Sequence, residues 1–198
     1  MSETNKQKAC KLVLETIRNR LSIFPPSFTD LPVSRQDIER MLEAANYAPT
    51  HKLTQPWRFI VLTGEARNNL AKCLLSDYEK KTPSHLQLEK KRKKLMVNPI
   101  RASAIIAICM ERDPERRIPE WEELAATACA VENLWLAATA MGIGGYWSTP
   151  SSTDALEDFF QLSEGQSCLG LFYLGHYQQT PLPVNRGSWE QKVQWRED

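Results

Sequence analysis

The chain has 198 residues, 42% of them hydrophobic and 25% charged, enough for a core in one domain or two small ones and unlike a disordered chain. A formal net charge of +1 and a pI near 7.6 provide no overall pull toward nucleic acid or an acidic membrane surface. Cys10, Cys73, Cys109, Cys129 and Cys168 are scattered without a CxxC pair or a His-x-Cys cluster, which supports neither a zinc site nor a disulfide framework. Four of these five cysteines sit in apolar surroundings, where a small core residue is the ordinary reading, and reduced thiols suit a cytoplasmic setting. The start "MSETNKQKACKLVLE" is polar and mixed in charge, unlike a secretory signal.

Taken in chain order, residues 4–19 predict a helix with Ala9, Leu12, Val13 and Ile17 on one stripe. The three prolines of "FPPSFTDLP", 24–32, mark a loop. Ser34 and Asp37 resemble a capping box ahead of Ile38, Met41, Leu42 and Ala45, and Pro49 stops that helix near Tyr47. "WRFIVLTG", 57–64, reads as a short strand ending in a glycine turn, followed by a helix over roughly 65–80. "EKKRKKLMVNP", 89–99, predicts a charged surface helix, and "ASAIIAICM", 102–110, a strand covered on both faces. Residues 121–141 predict the longest helix, about 30 Å long, apolar nearly all round and therefore buried in a core or against a second subunit. Glu132 and Asn133 at its centre argue against a membrane span. Gly142, Gly144 and Gly145 are expected to end it, with a further helix at 152–161, a buried strand at 167–177 and an irregular tail from 178. The fold class is α+β.

Few sites for chemistry stand out. His51, His85 and His176 lack metal-ligand spacing, and no GxSxG elbow, GxGxxG or P-loop motif occurs. The basic run Lys90–Lys94 reads as a solvated helix face, with a nucleic-acid contact as its rival. The connector "NYAPTHKLTQPWRF", 46–59, is denser in functional side chains than a link between helix and strand requires.

Several ordered segments carry a resemblance: "RNRLS" at 18–22, "APTHKLTQPWRF", "IPEWEELAATACAV", "MGIGGYW" and "FYLGH". Across roughly residues 8–178 the chain resembles the flavin-dependent nitroreductase family, particularly its small members. The resemblance implies a single domain, 1–198, with an extended tail from about 178. It implies a three-layer sandwich with a central mixed sheet flanked by helices, and the long helix at a homodimer interface. It also implies FMN as cofactor, NAD(P)H as reductant and a small aromatic acceptor, with chemistry borne by the flavin rather than by a catalytic side chain. Arg20 and Ser22, flanking Leu21, correspond to a phosphate clamp, since guanidinium matches phosphate oxygens. Tyr47 and His51 correspond to contacts with the flavin of the opposite subunit, and Trp147, Ser148 and Thr149 to contacts beside the reactive ring edge. Gly144 and Gly145 have no side chain to keep flavin away from their N–H groups. Ala137, Ala138, Thr139, Ala140, Met141 and Gly142 correspond to a nicotinamide-nucleotide site.

Plainer roles compete with these. Arg20 could complement a helix C-terminus, His51 could hydrogen-bond within its loop, Gly142–Gly145 could be a helix stop, and Trp57 and Phe59 suit the core. The chain departs from the family where a second arginine is usual, with Leu21 in its place, and where another basic residue often follows, with Phe24, Pro25 and Pro26. Tyr47 also replaces an often basic position. One lost charge-assisted hydrogen bond costs about 1.5–3 kcal/mol, and Arg186 or Arg18 is the candidate substitute. Two other functions fit the residues: a non-catalytic flavin-binding protein, and an interaction protein using the basic run.

Overall fold

The computed structural model describes residues 2–150, 153–179, 181, 182 and 184–197. Its centre is β2 (Ala104–Glu111), buried at every position but the last, as expected of an apolar run between two layers. β1 (Trp57–Leu62) flanks it on one side and β4 (Gln166–Gly175) on the other, and β3 (Gly144–Ser148) lies outside β4, giving the order β1-β2-β4-β3.

The ladders between these strands are all antiparallel, whereas a mixed sheet was expected. Parallel pairing is confined, among the described residues, to an isolated bridge between Ser22 and Gly145. The connection explains this for β1 and β2. Two helices of about 25 and 20 Å, α3 (Glu65–Lys81) and α4 (Glu89–Arg101), lie between them. One helix out and one back return the chain to the end it left, so β2 runs against β1.

Alternate residues face opposite layers. Ile106, Ile108, Phe172 and Leu174 pack toward α2 (Arg35–Asn46) and α5 (Glu120–Ala140). Ile105, Ala107, Cys109, Leu171 and Tyr173 pack toward α3 and α6 (Asp154–Phe160). The expected helix start at residue 152 lies outside the described residues.

Local signals hold where the backbone alone decides. Ser34 Oγ accepts from the Asp37 N–H at 3.1 Å and donates to the Asp37 carboxylate at 2.7 Å, capping α2. The helix ends with Tyr47 as its C-cap. At the end of α5, Gly142 takes a φ of +70°. Its N–H donates to Thr139 O at 3.1 Å and that of Ile143 to Ala138 O at 2.9 Å, a Schellman stop. Gly144 and Gly145 do not belong to that stop; they begin β3.

Helix α1 (Glu3–Asn19) forms as its periodicity predicts, yet none of its residues is buried. Leu12 and Val13 remain 56% and 57% exposed. Burial of the cysteines is likewise narrower than expected: Cys109 and Cys168 are buried, Cys73 is half-buried, and Cys10 and Cys129 are exposed, all as free thiols.

Candidate functional site

Arg20 is the C-cap of α1, where its backbone N–H closes the last turn on Thr16 O. Its side chain does more than complement that terminus. Nε lies 3.1 Å from Glu132 Oε1 of α5, and the guanidinium sits 4.6 Å over the Trp135 ring. Trp135 is itself held edge-on against Phe172, with ring centres 5.1 Å apart. Nε is buried without a properly aligned hydrogen bond, and the guanidinium forms part of the wall of a cavity of about 1030 Å³.

Arg18, Arg20 and Arg186 bring positive charge to that cavity; Ile17, Leu21, Leu182 and Val184 bring apolar surface, and Thr139 and Tyr177 close it. Leu21, the departure from the family pattern, thus stands in the wall where Arg186 arrives from the tail. The size falls at the upper end for small-molecule sites. A lining cationic in one part and apolar in another suits a ligand with an anionic end and a flat apolar body.

From Arg20 the chain runs along the edge of β3. Ser22 bridges Gly145, the Ile23 N–H donates to Gly145 O at 3.0 Å, and the Phe24 ring lies 4.8 Å from that of Tyr146. This contact gives the two glycines a structural role of their own. A Cβ at Gly144 would come within 2.8 Å of Ile23 Cβ, and one at Gly145 within 2.6 Å of the Phe172 ring. Their smallness admits the protein's own chain, and both are buried. Trp147 is an anchor: Nε1 donates to Leu169 O at 3.1 Å and its ring packs on the core. Ser148 and Thr149 instead line a second cavity, of about 380 Å³, on the α3–α4 side.

The 137–142 segment divides similarly. Ala138 is wholly buried and has no surface to offer a nucleotide; Ala137 packs against the core. Thr139 lines the large cavity, although its hydroxyl donates back to Trp135 O at 2.9 Å. Ala140 and Gly142 are exposed and Met141 half-buried. Ala138 is turned to the sheet because one stripe of α5 must cover it, which leaves Thr139, Ala140, Met141 and Gly142 as the accessible part of the segment.

The connector 46–59 is held in an unusual shape. Lys52, Leu53 and Gln55 all have positive φ, at 50°, 54° and 44°, conformations that non-glycine residues adopt rarely and that collect at functional sites. The Gln55 N–H donates to Thr50 Oγ1 at 3.1 Å, and Lys52 Nζ donates to Arg117 O at 3.2 Å. His51 Nδ1 lies 2.6 Å from Glu122 Oε2. His51 and Tyr47 are exposed and line neither cavity of this chain, so a single chain does not bring them to Arg20.

Near Lys52, Asp113 accepts from Arg117 Nε at 2.8 Å and from its Nη2 at 2.7 Å. Those bonds hold its carboxyl down from 3.8 to about 2. Glu123, wholly buried, accepts from the Asp113 N–H at 2.7 Å and pairs with Arg112. Glu122, Trp135 and Tyr177 escaped the sequence reading, and Glu132 entered it only as an argument against a membrane span. The available signal was four glutamates in an apolar helix, Glu120, Glu122, Glu123 and Glu132, each needing a partner.

These features define an α+β fold with an arginine-rich cavity at a sheet edge, between a long apolar helix and an irregular tail. The family model described as the Nitroreductase family matches residues 17–176, and the chain belongs to that family. It is 30% identical over 142 residues to the Escherichia coli strain K12 protein named "Putative NAD(P)H nitroreductase YdjA", a stretch that is 71% of this chain and 75% of that one. Among solved structures, the nitroreductase-like family protein of Bacillus cereus superposes with a TM-score of 0.82 at 26% identity, covering 94% of this chain and 96% of that one. A protein from Desulfovibrio desulfuricans solved in complex with FMN shares the fold at 24% identity and a TM-score of 0.72, over 94% of this chain and 98% of that one.

Proposed function

We propose that this chain is an FMN-dependent NAD(P)H oxidoreductase, active as a homodimer, that reduces nitroaromatic, quinone or similar conjugated acceptors. The observation that carries the reading is the arginine-rich cavity beside an apolar wall, which matches the two ends of FMN. Family membership supports it, as does the FMN held by the Desulfovibrio protein of the same fold. When bound, FMN supplies hydride transfer from the nicotinamide to the acceptor, the chemistry for which no side chain is equipped.

Arg20, Arg18 and Arg186 would hold the phosphate, with Ser22 on the adjoining segment. Arg186 offsets the missing second arginine at Leu21. Glu132 and Trp135 fix the Arg20 guanidinium in advance, so little side-chain freedom is lost on binding. Residues 20–24 advance about 13 Å if extended, running from the arginine cavity to Tyr146, beside Ser148 and Thr149. For a nitroaromatic, each two-electron turnover consumes NAD(P)H, a proton and the nitro compound, and yields NAD(P)+, water and the nitroso product.

The second subunit is supported by apolar surface that one chain leaves uncovered. Leu12, Val13 and Ile17 on α1 are exposed, as is Trp121 on α5, at 66%. His51 pairs with Glu122, the residue after Trp121 in α5, so a second copy docked over that end of α5 would offer its own His51 and Tyr47 to the cavity. No helix among the described residues is long and apolar enough to cross a membrane. A cytoplasmic setting, suggested by the free thiols, completes the proposal.

The test is a visible spectrum of the purified protein after incubation with FMN and gel filtration. Retained flavin absorbance that bleaches anaerobically with NADH or NADPH is the expected result. Protein that emerges colourless, with FMN left in the small-molecule fraction, would sink the reading. Bound flavin that neither nucleotide reduces would point to a flavin-binding protein without this activity.

A further inference from the structure

The 380 Å³ cavity is built for a particular kind of guest. Three tyrosines form its body. The rings of Tyr146 and Tyr173 stack at 5.1 Å with planes 19° apart. Tyr78 is fixed because its hydroxyl accepts from the Leu88 N–H at 2.9 Å. The Tyr146 phenol bonds with Ser148 and Asn98, and burial pushes its pKa up, so it stays a neutral donor at physiological pH.

The rim is cationic. Lys91 lies 4.4 Å over the Tyr78 ring, and Lys94 lines the same opening. Among the described residues no carboxylate pairs with Lys94. Asp77, the acidic group in the lining, is 2.8 Å from Lys81 and is neutralised there. Two ammonium groups therefore face a small hollow with aromatic walls. The volume lies near the lower limit for ligand sites, which favours a single-ring compound over a nucleotide.

We infer that this cavity is the acceptor site, and that it selects aromatic acceptors carrying a carboxylate, with Lys94 holding the carboxylate and Lys91 adding to the field. The inference rests on the proposed function for the redox step, because Tyr146, which lines the cavity, meets Phe24 at the end of the 20–24 run. The aromatic ring lies among Tyr78, Tyr146 and Tyr173, where stacked and edge contacts are favourable. Carboxylate recognition by ammonium groups predicts a salt-sensitive KM.

The experiment compares 4-nitrobenzoate with its uncharged isostere 4-nitrobenzamide, using the FMN-loaded enzyme, wild type and Lys94→Met. The ratio of kcat/KM for the acid to that for the amide should fall about tenfold in the variant, the upper range for a partly exposed charge pair. It should fall further in Lys94→Glu, and 0.5 M NaCl should reduce it in the wild type. An unchanged ratio overturns the inference. So does a Lys94→Met effect on FMN affinity or on the KM for NADPH, which would assign the cavity to the cofactor or to the nucleotide. Calorimetric titration of benzoate and benzamide into wild type and Lys94→Met needs no turnover. Wild-type preference for benzoate, lost in the variant, supports the site even if the protein takes up no flavin; equal binding of the two overturns it.

Discussion

Arg20 shows how much a single residue can owe to neighbours far away in sequence. Its cationic group sits between Glu132 and Trp135, which fixes its direction before any ligand arrives. Replacing it with alanine should therefore remove a preset phosphate contact. Arg20→Ala is expected to weaken FMN binding by about 10- to 150-fold, the equivalent of 1.5–3 kcal/mol for a charge-assisted hydrogen bond; fluorescence titration of the apoprotein with FMN measures this. Asp113 makes a pH-dependent contribution of definite sign. Its carboxyl titrates near 2 in the folded chain rather than at 3.8, so the unfolded chain binds the proton more tightly. The stability it adds is complete above the ordinary value and is lost as pH falls from about 4 through 2. Asp113→Asn should lower the Tm at pH 7 and flatten the decline of Tm between pH 5 and pH 2.5, as followed by circular dichroism.

At the scale of elements, the glycines after α5 divide into two jobs that look alike in sequence. Gly142 ends the helix through its positive φ, with open space where a side chain would go. Gly144 and Gly145 are small because Ile23, Tyr177 and Phe172 lie against them. Gly142→Ala should cost about 1 kcal/mol, the penalty for placing a Cβ residue in the left-handed region, visible as a lower urea midpoint with an unchanged slope. Gly145→Ala should destabilise more, since a methyl group would meet the Phe172 ring and Tyr173 O. The sheet itself illustrates how far periodicity reaches. β1, β2 and β4 were legible because each carries β-branched or aromatic residues in a run, whereas β3 was not, because "GGYWS" has the composition of a turn. What makes it a strand is pairing with β4 from Gly144 to Ser148, a contact between segments remote in sequence.

For the whole molecule, one chain leaves large apolar side chains on α1 and α5 uncovered. Each large side chain there would contribute about 1.5–3 kcal/mol if fully covered, so an arginine at the most exposed of them, Trp121, should matter. Trp121→Arg is expected to shift the sedimentation equilibrium toward monomer and to reduce FMN retention in parallel. A dimer that persists with full cofactor would move the interface elsewhere. The same view explains why His51 and Tyr47 stand away from Arg20 within one chain: the connector is shaped by three positive-φ residues to present side chains outward.

The order of helices and strands apart from β3, the Ser34 cap, the Gly142 stop and the two-faced burial of β2 were determined by the sequence, because each follows from neighbours a few residues apart or from a repeating apolar pattern. The motifs at 18–22, 48–59 and 141–147 also carried the family, and with it Arg20 as a phosphate candidate, while the departure at Leu21 pointed to Arg186 or Arg18 as its substitute. Tertiary structure decided the rest: that Glu132 and Trp135 hold Arg20, that Ala138 faces the sheet, that the paired glycines receive the protein's own chain, and that Lys94 opens onto a tyrosine-walled hollow. Those outcomes depend on which surfaces meet when helices pack on a sheet. Such meetings join residues tens of positions apart, and no local pattern encodes them.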